Sequence, residues 1–217
     1  MTNPVLKHIR TRLTRRPAPL VENPVAVDDH AVAPRSAAVL IPMLETHAGW
    51  HLLFIRRAEN CNDYHSGQVA FPGGRRERED ANPEATALRE AQEEMGIAPR
   101  DVDVLGRLSD LISTTNYRIA PFVGVIPWPY PLRLAPAEVA RAFTIPLRWL
   151  SDPDNREVYE HPLRSGTVPV VRYRPYGGEL LWGATARMTV NLLQALAGVD
   201  VLDALATNAT THRQRSA

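Results

Sequence analysis

The sequence has a single cysteine, Cys61, which excludes an internal disulfide. It also has almost no net charge: Lys and Arg total 25 against 24 Asp and Glu, a formal charge of +1. That balance removes the electrostatic case for non-specific binding to nucleic acid or to a membrane surface. No apolar run is long enough to span a bilayer, and the basic N-terminus lacks the apolar segment of a secretory signal. The lone thiol fits a reducing compartment, so a cytoplasmic location is expected. No internal repeat is visible. What remains is ordinary for a folded domain: 44% hydrophobic and 23% charged residues over a length of 217. That length suits one domain with a sizeable core.

The chain is organised around residues 71–97, FPGGRRERED ANPEATALREAQEEMGI. A short strand, a Gly-rich turn, a polar loop and a helix are expected there. Asn82 suits an N-cap, Pro83 the first helical position and Gly96 the residue just past the end. Leu88, Ala91 and Met95 are spaced as one apolar face. Glu90 and Glu94 are one turn apart, and Glu93 follows Glu90 by three, so the three carboxylates are expected to crowd one side. Like charges at such spacings destabilise a helix by a few tenths of ~1 kcal/mol per pair. Glu93 and Glu94 also sit near the negative end of the helix dipole. A hard divalent cation would offset this and would take phosphates as further ligands. A solvated acidic face, partly balanced by Arg89 and Arg100, is the alternative.

With its glycine turn, this stretch resembles the signature box of the Nudix hydrolases. Gly74 opens the box. Arg89-Glu90-Ala91-Gln92-Glu93-Glu94-Met95-Gly96-Ile97 closes it without a substitution. Asp80 stands where the first Glu of the pattern is expected, one residue too far from Arg89. Upstream, Arg57-Ala58 and Gly67-Gln68-Val69-Ala70-Phe71-Pro72-Gly73-Gly74 resemble the extension found in coenzyme A pyrophosphatases of this group. The intervening loop differs, with Cys61-Asn62-Asp63 in place of a basic residue. Leu181-Trp182-Gly183-Ala184-Thr185-Ala186 matches the tail of the same subfamily, so the resemblance spans about residues 36–197.

The resemblance implies an α+β fold, a Nudix-type α/β/α sandwich with a central mixed sheet. With the composition of the two ends, the chain is expected to divide into an N-terminal arm or peripheral helix (1–34), the hydrolase domain (35–200) and a disordered tail (201–217). The resemblance also implies a Mg²⁺- or Mn²⁺-dependent hydrolase that cuts coenzyme A or a derivative to 4′-phosphopantetheine and adenosine 3′,5′-bisphosphate. Glu90 and Glu94 would be metal ligands, Glu93 a further ligand or the base, and Arg89 an ion-pairing support. Gly73 and Gly74 would let the backbone approach the phosphates, and Arg57 would bind one of them. The partner is a small nucleoside diphosphate substrate, without nucleic acid or stable membrane insertion; a homodimer is left open. Two rival readings are another nucleoside diphosphate derivative as substrate and a non-catalytic nucleotide sensor.

Other residues carry weaker signals. Arg75 and Arg76 suit a solvated loop face, and His65 and His161 point to nothing specific. Tyr64, Phe122 and Trp128 suit either base stacking or the core, and Trp182 a core anchor. Val5, Ile9 and Leu13 form a narrow stripe, expected as a peripheral helix, and residues 17–34 an extended arm. Strands are expected at 36–44, 50–56, 102–108, 117–127 and 168–173, with Pro42 marking a bulge or an edge. A short helix starting at Glu138 is expected within 136–143, a polar loop over 151–167 and a last helix over 185–197.

Overall fold

The apolar runs on either side of His47-Ala48-Gly49 form the hairpin around which the sheet is built. The computed structural model describes residues 4–14, 33–59, 65–163 and 166–196. The expected arm at 17–34 and the tail at 201–217 therefore lie mostly or wholly outside the described residues. In chain order the elements are α1 (Pro4–Thr14), β1 (Arg35–Thr46), β2 (Gly49–Arg57), β3 (Val69–Ala70), β4 (Gly73–Arg75) and α2 (Pro83–Met95). These are followed by β5 (Asp103–Arg107), β6 (Leu111–Ile112), β7 (Tyr117–Val125), β8 (Val139–Pro146) and α3 (Leu147–Ser151). The chain then forms β9 (Arg156–Leu163), β10 (Gly166–Tyr173) and α4 (Gly183–Leu196).

β1 is the middle of the main sheet, whose order is β3-β2-β1-β7-β5. It pairs in parallel with β7 from Arg35↔Tyr117 to Met43↔Val125, and antiparallel with its other neighbours. Along its second edge it pairs first with β4, at Ala37–Val39, and then with β2, at Met43–Thr46. Between them β1 and β2 splay, and the β3–β4 segment wedges in, with β3 on β2 and β4 on β1. Leu40 donates to Pro72 O (2.9 Å) inside that wedge. Pro42 was expected at a bulge or an edge, yet it lies in this central strand. Two residues beyond Leu40 it faces the same edge, where β1 changes partner and no ladder bond needs its missing N–H.

Alternation along β1 and β2 builds two cores. Ala38, Leu40, Leu44, Leu53 and Ile55 pack on one face against Ala87, Ala91 and Met95 of α2. Ile41, Met43, Leu52 and Phe54 pack on the other with α1, α3, α4 and β10. A mixed sheet between helical layers is thus the observed architecture. Ile9 and Leu13 of α1 are fully or nearly buried. Arg10 of the same helix reaches Val104 O (2.8 Å) and Asp103 (2.5 Å). Gly106 makes that docking fit, because a Cβ there would lie 2.7 Å from Leu13 Cβ.

Two expectations are overturned. The helix expected within 136–143 is absent: Glu138 sits in a turn and Val139–Pro146 form β8, paired with the outer edge of β2 from His51↔Pro146 onward. Val139, Phe143, Thr144 and Ile145 suit a strand, and the open edge of β2 supplies the partner. The polar loop expected over 151–167 is largely β9, which forms a separate hairpin with β10 from Gly166↔Leu163 to Tyr173↔Arg156. Because β9 stands off the main sheet, it is not buried on one whole face and lacks the apolar alternation that marks a strand.

The start of the tail is tied to the sheet by a buried carboxylate. Arg56 and Arg141 lie directly opposite each other on β2 and β8. Glu179, in the turn after β10, lies between them, 3.4 Å from one and 3.1 Å from the other. Like charges facing across a ladder repel, and Glu179 offsets that repulsion while fixing the turn that leads to Trp182.

Candidate active site

α2 forms where its local chemistry says it should. The Asn82 side chain accepts from Ala85 N (2.9 Å), Pro83 opens the helix and Gly96 closes it with φ +71°. A Cβ on Gly96 would also fall 2.9 Å from that of Arg133. The loop there donates backbone N–H groups from Arg133 to Met95 O and from Ala135 to Glu94 O (2.8 and 2.9 Å). These bonds satisfy carbonyls that a helix end otherwise leaves open.

The buried stripe of α2 runs through Ala87, Ala91 and Met95, and it includes Glu94, whose side chain is only 2% exposed. Its carboxylate accepts from Gly73 N (2.9 Å) and lies 4.0 Å from the guanidinium of Arg57. Burial pushes the Glu94 carboxyl up to about 8, against the weaker pull of those two groups. Glu90 lies one turn earlier against the Gly-Gly segment, and burial raises its pKa as well, the nearby Arg89 opposing. A Cβ on Gly74 would sit 2.6 Å from Glu90 Cδ, so glycine is what lets the strand and this carboxylate touch. The charge of Glu138 adds to the upward push on both groups, which brings the turn before β8 beside them.

Glu93 does not join that pair. Its side chain is 56% exposed and ion-pairs with Arg89 (2.7 Å). The expectation that three carboxylates crowd one side holds for Glu90 with each neighbour but not for Glu93 with Glu94: Glu93 shares Arg89 with Glu90, and its charge adds to the upward push on Glu90. Successive residues turn by about 100°, so Glu93 and Glu94 diverge to opposite sides of the line through Glu90.

Arg89 is the hub of the loop. It donates from Nε to Asp80 Oδ1 (3.0 Å) and from Nη2 to Asp80 Oδ2 (3.1 Å), Arg75 O (3.0 Å) and Glu90 (3.0 Å). Asp80 in turn accepts from Glu77 N (2.9 Å). The guanidinium holds the Asp80 carboxyl down to about 2, and Asp80 holds Arg89 above its ordinary value. Asp80 therefore fastens residues 75–80 to α2 and does not face Glu94.

Across β4 from these carboxylates lies a cleft of about 430 Å³. One wall is the sheet, with Val39, Gly73, Gly74, Arg75 and Tyr117, and Arg57 at the end of β2. The other is the tail, with His161, Val170, Trp182, Arg187 and Met188. Arg57, Gly73 and Gly74 thus join the cleft to Glu94 and Glu90. His65 also lines it, bonded to Gln68 (3.0 Å) and Thr115 (3.4 Å). Arg76 turns away to Asp80 O (3.1 Å), Phe122 is buried behind α2, and Trp128 is exposed outside the cleft. Tyr64 lies outside the described residues. His161 and Arg187 carried no functional signal in the sequence, and Trp182 entered only through the tail string and as a core anchor, because only the return of the tail over the sheet brings them here.

The donor set suits a hard cation. Among the described residues no three His, Cys, Asp or Glu side chains converge on one point. Mg²⁺ does not need such a cage: it is usually held by one or two carboxylates, with waters and substrate phosphates completing the shell. Two buried, like-charged carboxylates beside a cleft fit that pattern.

Residues 34–161 match the NUDIX domain family. An uncharacterized Nudix hydrolase, NudL, from Photorhabdus laumondii is 40% identical over 162 residues, 74% of this chain and 84% of that protein. NudL from Yersinia pestis is 39% identical over 163 residues, 74% of this chain and 79% of that protein. Among solved structures, a MutT/nudix family protein from Enterococcus faecalis aligns with a TM-score of 0.49 at 14% identity, covering 84% of this chain and 82% of its own.

Proposed function

This chain belongs to the Nudix hydrolases, and from that premise we propose that it cleaves the diphosphate of coenzyme A or a derivative, with Mg²⁺ or Mn²⁺. Enzymes of this family hydrolyse nucleoside diphosphate-linked substrates and generally use a divalent cation. The observation that carries the site is Glu94: a carboxylate with 2% exposure, fixed by the Gly73 N–H and facing Arg57 at the rim of the cleft.

Glu90 and Glu94 would hold the cation, which supplies charge neutralisation for the diphosphate and acidification of water. Arg57 binds a phosphate oxygen at the cleft end of β2. Gly73 and Gly74 let the backbone come close to the diphosphate, where a side chain would collide with Val39 or Glu90. Glu93, exposed and held by Arg89, accepts the proton of the attacking water or serves as a further ligand. Arg89 and Asp80 keep the Gly-Gly segment and the helix in one register. Water adds at phosphorus, the P–O–P bond breaks, and the departing phosphate leaves as the monoester of the other half.

A second reading keeps the chemistry and changes the substrate to a nucleotide sugar, a dinucleotide or a nucleoside triphosphate. The sequence between Arg57 and Arg75 favours it, because it contains no Lys or Arg. The test is product release from coenzyme A, nucleotide sugars, dinucleotides and triphosphates, with and without Mg²⁺ or Mn²⁺. Efficient, metal-dependent release of adenosine 3′,5′-bisphosphate from coenzyme A is expected. Metal-dependent turnover confined to the other compounds would reject the coenzyme, and saturable binding without turnover of anything would reject catalysis.

A further inference from the structure

The tail wall of the cleft contains a cation that the diphosphate chemistry does not use. Arg187 lies one turn into α4, half-buried, and lines the cleft together with Trp182 and Met188. It forms no hydrogen bond or ion pair with any described residue. No Asp or Glu lines the cleft among the described residues, whereas Arg57, Arg75 and Arg187 do. A guanidinium partly withdrawn from water is costly without an anion to meet it. Arg57 has its task at the other wall, within 4.0 Å of Glu94. Arg187 also lies beyond residues 34–161, so it is an addition to the matched domain.

We propose that Arg187 selects substrates bearing a second anionic group, a phosphate monoester on the nucleoside, beyond the scissile diphosphate. This rests on the reading of the cleft as a diphosphate site. Trp182 supplies a flat apolar surface on the same wall of the cleft, its ring 6.5 Å from that of His161 and tilted by 51°. A ligand with a planar base and a pendant phosphate matches that pairing of aromatic face and guanidinium. Planar pairing with two oxygens of one phosphate is a property of Arg that Lys reproduces only as a point charge.

The test uses two matched pairs that differ by one phosphate monoester: coenzyme A with 3′-dephospho-coenzyme A, and NADPH with NADH. kcat and KM are measured for the intact chain, Arg187→Ala and Arg187→Lys. In whichever pair is hydrolysed, the unsubstituted protein should favour the phosphorylated member. Arg187→Ala should shrink that preference roughly 10- to 100-fold, through KM, and Arg187→Lys should retain part of it. No preference at the outset, or an equal loss on both members, would overturn the assignment. Hydrolysis of the nicotinamide pair alone would reject coenzyme A as substrate and leave Arg187 to be judged on that pair. If neither pair is hydrolysed, calorimetric binding of the four compounds to Glu94→Gln protein gives the same ratio, and equal affinities within both pairs would overturn the proposal.

Discussion

Replacing Glu94 with Gln should make the metal-free protein more stable while removing its activity. The carboxyl titrates at about 8 in the fold against 4.5 in the reference state, because burial disfavours its charge. Between those values the folded chain holds a proton that the unfolded chain has released, so stability falls as pH rises through the window. At pH 7 the difference amounts to roughly 3 kcal/mol. It shrinks to less than about 1 kcal/mol at pH 5 and grows toward roughly 4 kcal/mol at pH 8. Gln is isosteric, keeps an oxygen for the Gly73 N–H and carries no charge, and Arg57 remains 29% exposed. The variant should therefore gain that amount, which for a chain of this size raises the thermal midpoint by roughly 6–12 °C at pH 7. Urea and thermal unfolding in chelator, from pH 5 to 8, measure the gain directly. Adding Mn²⁺ should then raise the midpoint of the unsubstituted protein and leave the variant behind. A variant less stable than the parent at pH 7, or a gain equal at pH 5 and pH 8, would refute the assignment of a carboxylate whose burial outweighs the Gly73 N–H and Arg57.

Gly74→Ala should lower turnover at least about 10-fold with a stability change within about 1 kcal/mol. The atoms nearest the new Cβ are those of the Glu90 carboxylate, which must swing away; steady-state kinetics beside an unfolding curve tests this, and unchanged kcat would contradict the close approach. Asp80→Asn should cost about 1–3 kcal/mol above pH 4, because it weakens a two-point pair with Arg89. The Asp80 carboxyl is held down to about 2 in the fold, so its contribution is present above the ordinary carboxylate range and lost as pH falls through about 4 to 2. Unfolding curves of the two proteins should accordingly converge near pH 2.

Residues 83–96 were legible because every signal there is local: a capping Asn, a first-turn Pro, good helix formers and a stop Gly act within a few residues of one another. The hairpin of β1 and β2 was legible for the same reason, from two apolar runs across a short turn. The box string also pointed to the family. The misread segments are those whose partners are distant. Val139–Pro146 becomes a strand because β2 offers a free edge, and β9 because β10 returns beside it. The position of Pro42 followed from where β1 exchanges β4 for β2.

The same division runs through the site. The sequence by itself put Glu90 and Glu94 on one helix and a Gly-Gly turn before it, since spacing along a helix is fixed by its pitch. Folding decided that Glu94 is buried and Glu93 exposed, that Asp80 locks Arg89, and that Trp182 and Arg187 stand across a cleft from Gly73. Burial, and the charge shifts it causes, depend on which surfaces meet: Glu94 is enclosed by Gly73 and Arg57, and the cleft closes only where residues 182–188 return over Gly73.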